Sequence, residues 1–318
     1  MSRISSSSTK KPFFQEIFSW LYSFWKFSRP HTIIGTTLSV IALYAIALTT
    51  VDRNLNSSIE IGQLFGTWLA CLCGNIYITG LNQLEDVAID KINKPHLPIA
   101  AGEFSLQTGK YIVAICGIVA LFSSGFLGVW LFATVGLSLA IGTIYSLPPI
   151  RLKRFPFFAA LCIFLVRGVV VNLGIFSHFI ERFQGKVFLT PAVLLITAFI
   201  LIFTVAIAIF KDIPDLEGDK KYNISTFTIL LGKETIFNIS RWIVTACYLG
   251  MMIAGFLTLN GINPIFLVST HLGLLALLWW RSLGVNLDDK IAIASFYQFI
   301  WKLFFLEYLV FPTACWLV

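Results

Sequence analysis

Asn82, Asp86 and Asp90 follow one another at four-residue intervals where a long apolar stretch ends. On a helix that spacing puts one amide and two carboxylates on a single face. Lys211-Asp212-Ile213-Pro214-Asp215-Leu216-Glu217-Gly218-Asp219 ends a second apolar stretch and repeats the interval between Asp215 and Asp219. Pro214 and Gly218 predict a helix that breaks up there. Two like charges 4 Å apart repel by roughly 4 kcal/mol at an effective dielectric near 20. A divalent cation relieves that repulsion. Hard oxygen ligands suit Mg²⁺, which is usually held by one or two carboxylates together with substrate phosphates. Two facing ladders would therefore grip one diphosphate through Mg²⁺, with charge on the departing diphosphate neutralised by the metal. A lone DxxxD is often only a solvated acidic loop. Two copies at equivalent places, with an Asn in register on the first, favour the metal–diphosphate reading, with Asn82, Asp86, Asp90, Asp215 and Asp219 as metal ligands and the four aspartates as the catalytic set.

Cations stand beside these acids. Lys94 sits in Asn93-Lys94-Pro95-His96-Leu97-Pro98, and Lys153 and Arg154 in the segment Tyr145-Ser146-Leu147-Pro148-Pro149-Ile150-Arg151-Leu152-Lys153-Arg154. Lys and Arg bind diphosphate oxygens directly, and Lys94 and Lys153 are the preferred candidates. Topology alone also accounts for positive charge in such loops. Arg167 lies midway along an apolar stretch, where an ionisable group is a functional hypothesis by default. Two roles stand open for it: contact with a diphosphate or a substrate carboxylate, or pairing with a bundle carboxylate such as Glu307. Lys302 and Glu307 read as a structural ion pair. The four histidines are scattered and support no zinc or nucleophile–base arrangement. All six cysteines fall in apolar stretches and read as buried small side chains.

These groups have to be positioned in a lipid environment. Hydrophobic residues make up 57% of the 318 and charged residues 12%, with a mean hydropathy of +0.84. A soluble domain carries about a quarter charged residues, so this chain reads as all-α and multi-pass, with the bilayer as its partner. Nine stretches approach the roughly 20 residues a spanning helix needs: about 32–51, 61–81, 108–126, 128–146, 157–179, 187–210, 236–259, 264–281 and 293–316. With the N-terminus in the cytoplasm, the inside segments hold nearly all Lys and Arg, including Arg3, Lys10 and Lys11, and the outside segments only Arg53, Arg182 and Lys186. That is the positive-inside pattern. It disperses the net charge of +7 and excludes nucleic acid. Both acidic ladders then emerge on the inside face. Residues 1–30 read as a cytoplasmic and interfacial segment, with Phe13 to Phe27 an amphipathic helix on the membrane surface, and 31–318 as the membrane domain.

Two other function classes compete with a membrane enzyme. Transporter ion sites usually sit near the bilayer midplane on broken helices, whereas these ladders lie at the inner ends of spans. A non-catalytic partner protein would have no use for five ligands in register.

Asn82-xxx-Asp86-xxx-Asp90 and Asp215-xxx-Asp219 on nine spans resemble the intramembrane aromatic prenyltransferases of the UbiA superfamily. The resemblance runs from Arg29-Pro30-His31-Thr32 to the last span. The longer strings LNQLEDVAIDKINKPHLPIAAGEFS (81–105) and KDIPDLEGDKKYNISTFTILLGK (211–233) are similar to the homogentisate phytyltransferase branch, in a length typical of cyanobacterial members. The resemblance implies a UbiA-like bundle and Mg²⁺-dependent transfer of a prenyl group from phytyl diphosphate to homogentisate, with loss of CO₂, to give a tocopherol precursor. It places the work at the cytoplasmic face of a thylakoid or plasma membrane. It assigns Asn82 and the four aspartates to Mg²⁺–diphosphate. It adds Tyr145, Ser146 and Lys153 from the loop that contacts diphosphate. Beside these, Arg29, Arg154, Arg167 and Lys211 stand as further substrate-binding candidates among the cations of the chain. Asp212 departs from the minimal pattern, and metal binding, pairing with Lys211 and proton acceptance are all open to it. Related enzymes with geranylgeranyl or solanesyl donors, or a chlorophyllide acceptor, are the near alternatives. Protein partners are left open.

Overall fold

The computed structural model describes residues 13–51, 57–221, 226–257 and 261–318. Arg3, Lys10, Lys11, Arg53 and residues 222–225 of the second long motif lie outside the described residues. Among the described residues there is no strand, and nine helical spans are long and apolar enough to cross a membrane.

The chain enters through α1 (Phe13–Phe27) and α2 (Pro30–Leu48). Phe14, Phe18 and Tyr22 of α1 are exposed while Phe27 is fully buried, the asymmetry of a helix lying on a surface. Lys26 and Ser23 tie α1 to Glu103. Next come α3 (Ser57–Glu85), α4 (Val87–Asn93), α5 (Leu106–Leu127) and α6 (Val129–Ser146). The narrow gap expected between the third and fourth spans is Gly128, whose φ of 154° suits a residue without a Cβ. The fifth span is composite: α7 (Pro156–Phe164), a π-helical turn (Leu165–Val170) and α8 (Val171–Gln184). Then follow α9 (Pro191–Phe210), the short α10 (Leu216–Lys221) and α11 (Phe227–Leu231), and α12 (Lys233–Phe256), α13 (Pro264–Ser282) and α14 (Lys290–Trp316). Prolines 30, 156, 191 and 264 open their helices, where the missing N–H costs nothing.

Six spans enclose a cavity: α2, α3, α6, α7–α8, α9 and α14. Outside them α5 packs on α3 and α6, and α12 and α13 back α9 and α14. The largest core cluster joins α2, α8, α9, α12, α13 and α14 through Phe176, Phe179, Phe203, Phe210, Phe304 and Phe311, among others. Phe122 and Phe126 of α5 and Ile265 of α13 are outward-facing and exposed. In a membrane protein such side chains meet lipid.

One expected pairing is absent. Glu307 is fully buried and pairs with His271 Nε2 at 3.1 Å, while Lys302 is exposed. Residues five apart stand about 140° round a helix from each other at 3.6 residues per turn, so these two side chains leave α14 on different sides.

Candidate functional site

The first ladder is not one continuous helix. α3 ends at Glu85, and Asp86 has φ −108° and ψ 17° before α4 begins. The four-residue hydrogen bonding nevertheless carries through, from Asp86 N–H to the Asn82 carbonyl at 3.0 Å and from Asp90 N–H to the Asp86 carbonyl at 2.7 Å. The three side chains therefore keep a common face across a bend. The second ladder leaves α9 at Phe210 through a turn at 211–215, as Pro214 and Gly218 predict, and Asp219 N–H returns to the Asp215 carbonyl at 3.1 Å in α10.

Asn93 joins the two. Its Oδ1 accepts the Gly218 amide at 2.9 Å and its Nδ2 donates to Asp219 Oδ1 at 3.4 Å. A Cβ on residue 218 would lie 2.1 Å from Asn93 Oδ1, so the Asn93 side chain can take this place only because residue 218 is glycine.

Both ladders open on one cavity of about 390 Å³. Asn82, Asp86, Asp90, Asp215, Asp219, Asp212, Lys94, Lys153, Lys211, Arg29, Tyr145 and Arg167 all line it. Arg154 is exposed and Ser146 is buried with its hydroxyl unpartnered, and neither lines the cavity. The structure thus does not bring those two expected substrate-binding residues to the site: Ser146 ends α6 buried within the bundle, and the turn at Leu152–Arg154 points successive side chains in different directions. Arg151, which the sequence reading left unassigned, takes the nearer place. It sits at φ 42° and donates to Asp86 Oδ1 at 3.0 Å, while Lys153 reaches Asp86 Oδ2 at 2.6 Å. Lys94 pairs with Asp215, and Lys211 with Asp212 at 2.7 Å. Arg29 Nη2 donates to Asn82 Oδ1 at 3.3 Å and lies 4.0 Å from Asp90 Oδ2.

Sequence reasoning also missed Asn93, although it follows Asp90 by three residues and Asp86 by seven and so extends the same face. It missed Tyr297, Trp301 and Tyr308 of α14 as well. They line the cavity but read as ordinary core aromatics.

Charge and burial compete at the mouth. Burial pushes the Asp90 carboxyl up to about 6, with Arg29 and Lys94 offsetting only part of the effect. Burial, reinforced by Asp215, pushes Asp219 up to about 7. Burial lowers the Lys153 ammonium against the pull of Asp86. Burial alone would also lower Lys211, but Asp212, Tyr145 and Asp215 together outweigh it and hold the ammonium well above its usual range.

Among the described residues no three His, Cys, Asp or Glu side chains meet as a ready-made cage. A Mg²⁺ shared with a diphosphate needs only one or two carboxylates from the protein. Asp90 Oδ2 is buried without a hydrogen-bond donor, a costly arrangement for a carboxylate oxygen. It shares the cavity with Asp86, Asp215 and Asp219. An all-oxygen donor set with one orphaned buried oxygen fits a hard divalent cation.

Behind the mouth the walls turn apolar and small-residued. They include Gly35, Gly74, Leu139, Gly142, Ile163 and Ile175. From Tyr145 back to Thr134 the lining follows α6 for about 16 Å at 1.5 Å per residue. The arrangement therefore has a charged head site and an apolar channel.

The chain is 55% identical over 298 residues, 93% of its own length and 96% of the relative's, to a Synechocystis protein named homogentisate phytyltransferase. It is 40% identical to the chloroplastic homogentisate phytyltransferase 1 of Arabidopsis thaliana, over 92% of this chain and 75% of that one. Its fold matches a UbiA homologue from Archaeoglobus fulgidus, solved with GPP and Mg²⁺, at a TM-score of 0.62 and 16% identity over 92% of this chain and 99% of that one. Residues 38–303 match the UbiA prenyltransferase family. With the nine spans, the paired aspartate motifs and this match over most of its length, the chain belongs to the UbiA prenyltransferase family.

Proposed function

We propose that this membrane prenyltransferase moves a phytyl group from phytyl diphosphate to homogentisate, giving 2-methyl-6-phytylbenzoquinol, a tocopherol precursor. The observation that carries the choice of acceptor and donor is the 55% identity, over nearly the full length of both chains, to the Synechocystis homogentisate phytyltransferase. The charged head site and apolar channel support the chemistry.

Asp86, Asp90, Asp215 and Asp219, with Asn82, would hold Mg²⁺. Bound there with the diphosphate, the metal offsets charge on the leaving group. Lys94, Arg151, Lys153, Lys211 and Arg29 orient the diphosphate oxygens, since charge-assisted hydrogen bonds from Lys and Arg are among the strong ones. Tyr145 closes the head site beside them. The phytyl chain lies in the apolar channel. As the allylic C–O bond breaks, diphosphate departs with the electron pair and the cation is left among aromatic walls that exclude water. The electron-rich ring of homogentisate attacks through carbon. Its ring proton is released, and the side-chain carboxylate leaves as CO₂, the methylene carbon left on the ring keeping the electron pair and taking a proton to become the methyl group.

We also infer that residues 1–30 form a cytoplasmic and interfacial segment ahead of a catalytic membrane domain at 31–318. The loops carrying Lys94, Lys153 and Lys211 would then face the cytoplasm, as the positive-inside rule requires, in a thylakoid or plasma membrane.

The test is a product assay. Membranes carrying the protein receive labelled homogentisate, Mg²⁺ and, separately, phytyl, geranylgeranyl and solanesyl diphosphates. The expected result is a Mg²⁺-dependent phytylated quinol with release of CO₂. Turnover only with another acceptor, such as chlorophyllide, would overturn the choice of acceptor.

A further inference from the structure

Five cations line the cavity, and four of them have an aspartate at hand. Lys94 has Asp215, Lys153 has Asp86, Lys211 has Asp212, and Arg29 stands 4.0 Å from Asp90. The fifth, Arg167, has no carboxylate within 4.0 Å among the described residues. Glu307, the bundle carboxylate considered for it, is taken by His271. Arg167 instead lies over the rings of α14, its guanidinium carbon 4.7 Å from the centre of Trp301 and 5.7 Å from that of Phe304.

The fold holds this side chain in place by unusual means. Arg167 sits in the π-helical turn at Leu165–Val170, whose extra residue releases backbone carbonyls from their usual partners. Asn172 Nδ2 takes up two of them, Arg167 O at 2.9 Å and Gly168 O at 2.7 Å, and Asn172 Oδ1 accepts the Tyr308 hydroxyl at 3.1 Å. On the other side a Cβ at Gly168 would lie 2.7 Å from Leu201 Cα, so α9 fixes the turn from behind. A guanidinium inside a bilayer is expensive and is normally paired. Here an entire local structure presents one to the cavity with no carboxylate of the described residues within 4.0 Å.

We propose that Arg167 is the seat for the carboxylate of the aromatic acceptor, with the acceptor ring against the aromatic side chains of α14. The inference rests on the reading of the protein as a prenyltransferase acting on homogentisate. Arg167 is eleven residues from the start of α7, about 16 Å along the axis. The diphosphate-binding cations sit at the mouth, so the anion that Arg167 meets is a different one. The planar guanidinium matches a carboxylate in a two-point contact. The channel would thereby take the donor by its diphosphate at the mouth and the acceptor by its acid group deeper in.

The experiment compares the full chain and its Arg167→Gln and Arg167→Lys variants in membranes, with phytyl diphosphate and two acceptors. One is homogentisate. The other is methylhydroquinone, which has the same ring without the acid group. The expected result for Arg167→Gln is a KM for homogentisate raised about tenfold to a hundredfold, the usual size of a lost charge-assisted hydrogen bond. The KM for phytyl diphosphate stays within about twofold, and the preference for homogentisate over methylhydroquinone falls by the same factor. Arg167→Lys is intermediate. Continued turnover of methylhydroquinone reports that the variant is folded. An unchanged preference between the two acceptors, an equal loss of both, or a rise confined to the KM of the donor would each overturn the seat. All three leave wild-type turnover of homogentisate, and so the functional reading, intact.

Discussion

Asn93 Oδ1 accepts the backbone amide of Gly218 at 2.9 Å. This contact joins two motifs more than a hundred residues apart in sequence and makes one head site of two acidic ladders. Gly218→Ala would put a methyl group into the space the Asn93 side chain occupies, breaking its bonds to α10 and leaving a misplaced side chain between the two motifs. The expected effect is a loss of at least about tenfold in kcat/KM, with more Mg²⁺ needed for half-maximal rate, because a displacement of about 1 Å at a reacting centre is enough to cost that much. Asn93→Ala removes the bond without the clash and should cost only a few-fold. Wild-type rates for Gly218→Ala, measured at limiting Mg²⁺, would show that the two motifs are held by something else.

Lys153 and Arg154 are neighbours in sequence with different positions. Lys153 reaches Asp86 inside the cavity and Arg154 is exposed outside it. Lys153→Gln should raise the KM for the prenyl diphosphate by about tenfold or more, in line with the loss of a hydrogen bond to a charged group. Arg154→Gln should leave it within about twofold. Steady-state kinetics with the donor varied separate the two.

Hydropathy and the four-residue interval were enough to place the nine spans and the acidic ladders, because both depend on local sequence. The bend at Asp86 was not legible. No proline or glycine marks it, and it arises where α3 leaves the bundle and α4 turns toward α10. Arg151 was missed for a related reason: only its tertiary setting holds it at φ 42°, facing Asp86. The supposed Lys302–Glu307 pair failed on helix geometry, since a five-residue interval does not share a face. The π-helical turn under Arg167 has no sequence period at all.

Protons and metal compete for the same oxygens. Asp90 is raised to about 6 and Asp219 to about 7. A raised carboxyl favours the protonated folded form, so in the absence of metal these two groups add to stability at low pH and that contribution is lost as pH rises through 6 to 7. Mg²⁺ requires the deprotonated form. The increase in melting temperature on adding Mg²⁺ with a diphosphate should therefore be larger at pH 8 than at pH 6, and the apparent metal affinity should fall as pH drops below about 7. Equal shifts at both values would mean that neither carboxyl is raised or that neither binds the metal.

The lining of the channel along α6 reaches Thr134, some 16 Å from Tyr145 at 1.5 Å per residue. Thr134→Phe should fill its deep end. Turnover with phytyl diphosphate is then expected to fall about tenfold or more while a ten-carbon geranyl donor is spared, since overpacking a tight apolar space costs about 1–3 kcal/mol. Equal effects on both donors would show that the chain runs elsewhere.

The central claim is that the two aspartate motifs act as one device on one diphosphate. The most direct measurement is the rate of phytylated quinol formation by Asp86→Asn, Asp215→Asn and the double variant at saturating Mg²⁺. Groups that act as a unit are strongly non-additive. Each single variant should lose about a thousandfold or more, and the double variant should be scarcely worse than either. Near-wild-type rates for either single variant, or losses that multiply in the double, would contradict a single shared site.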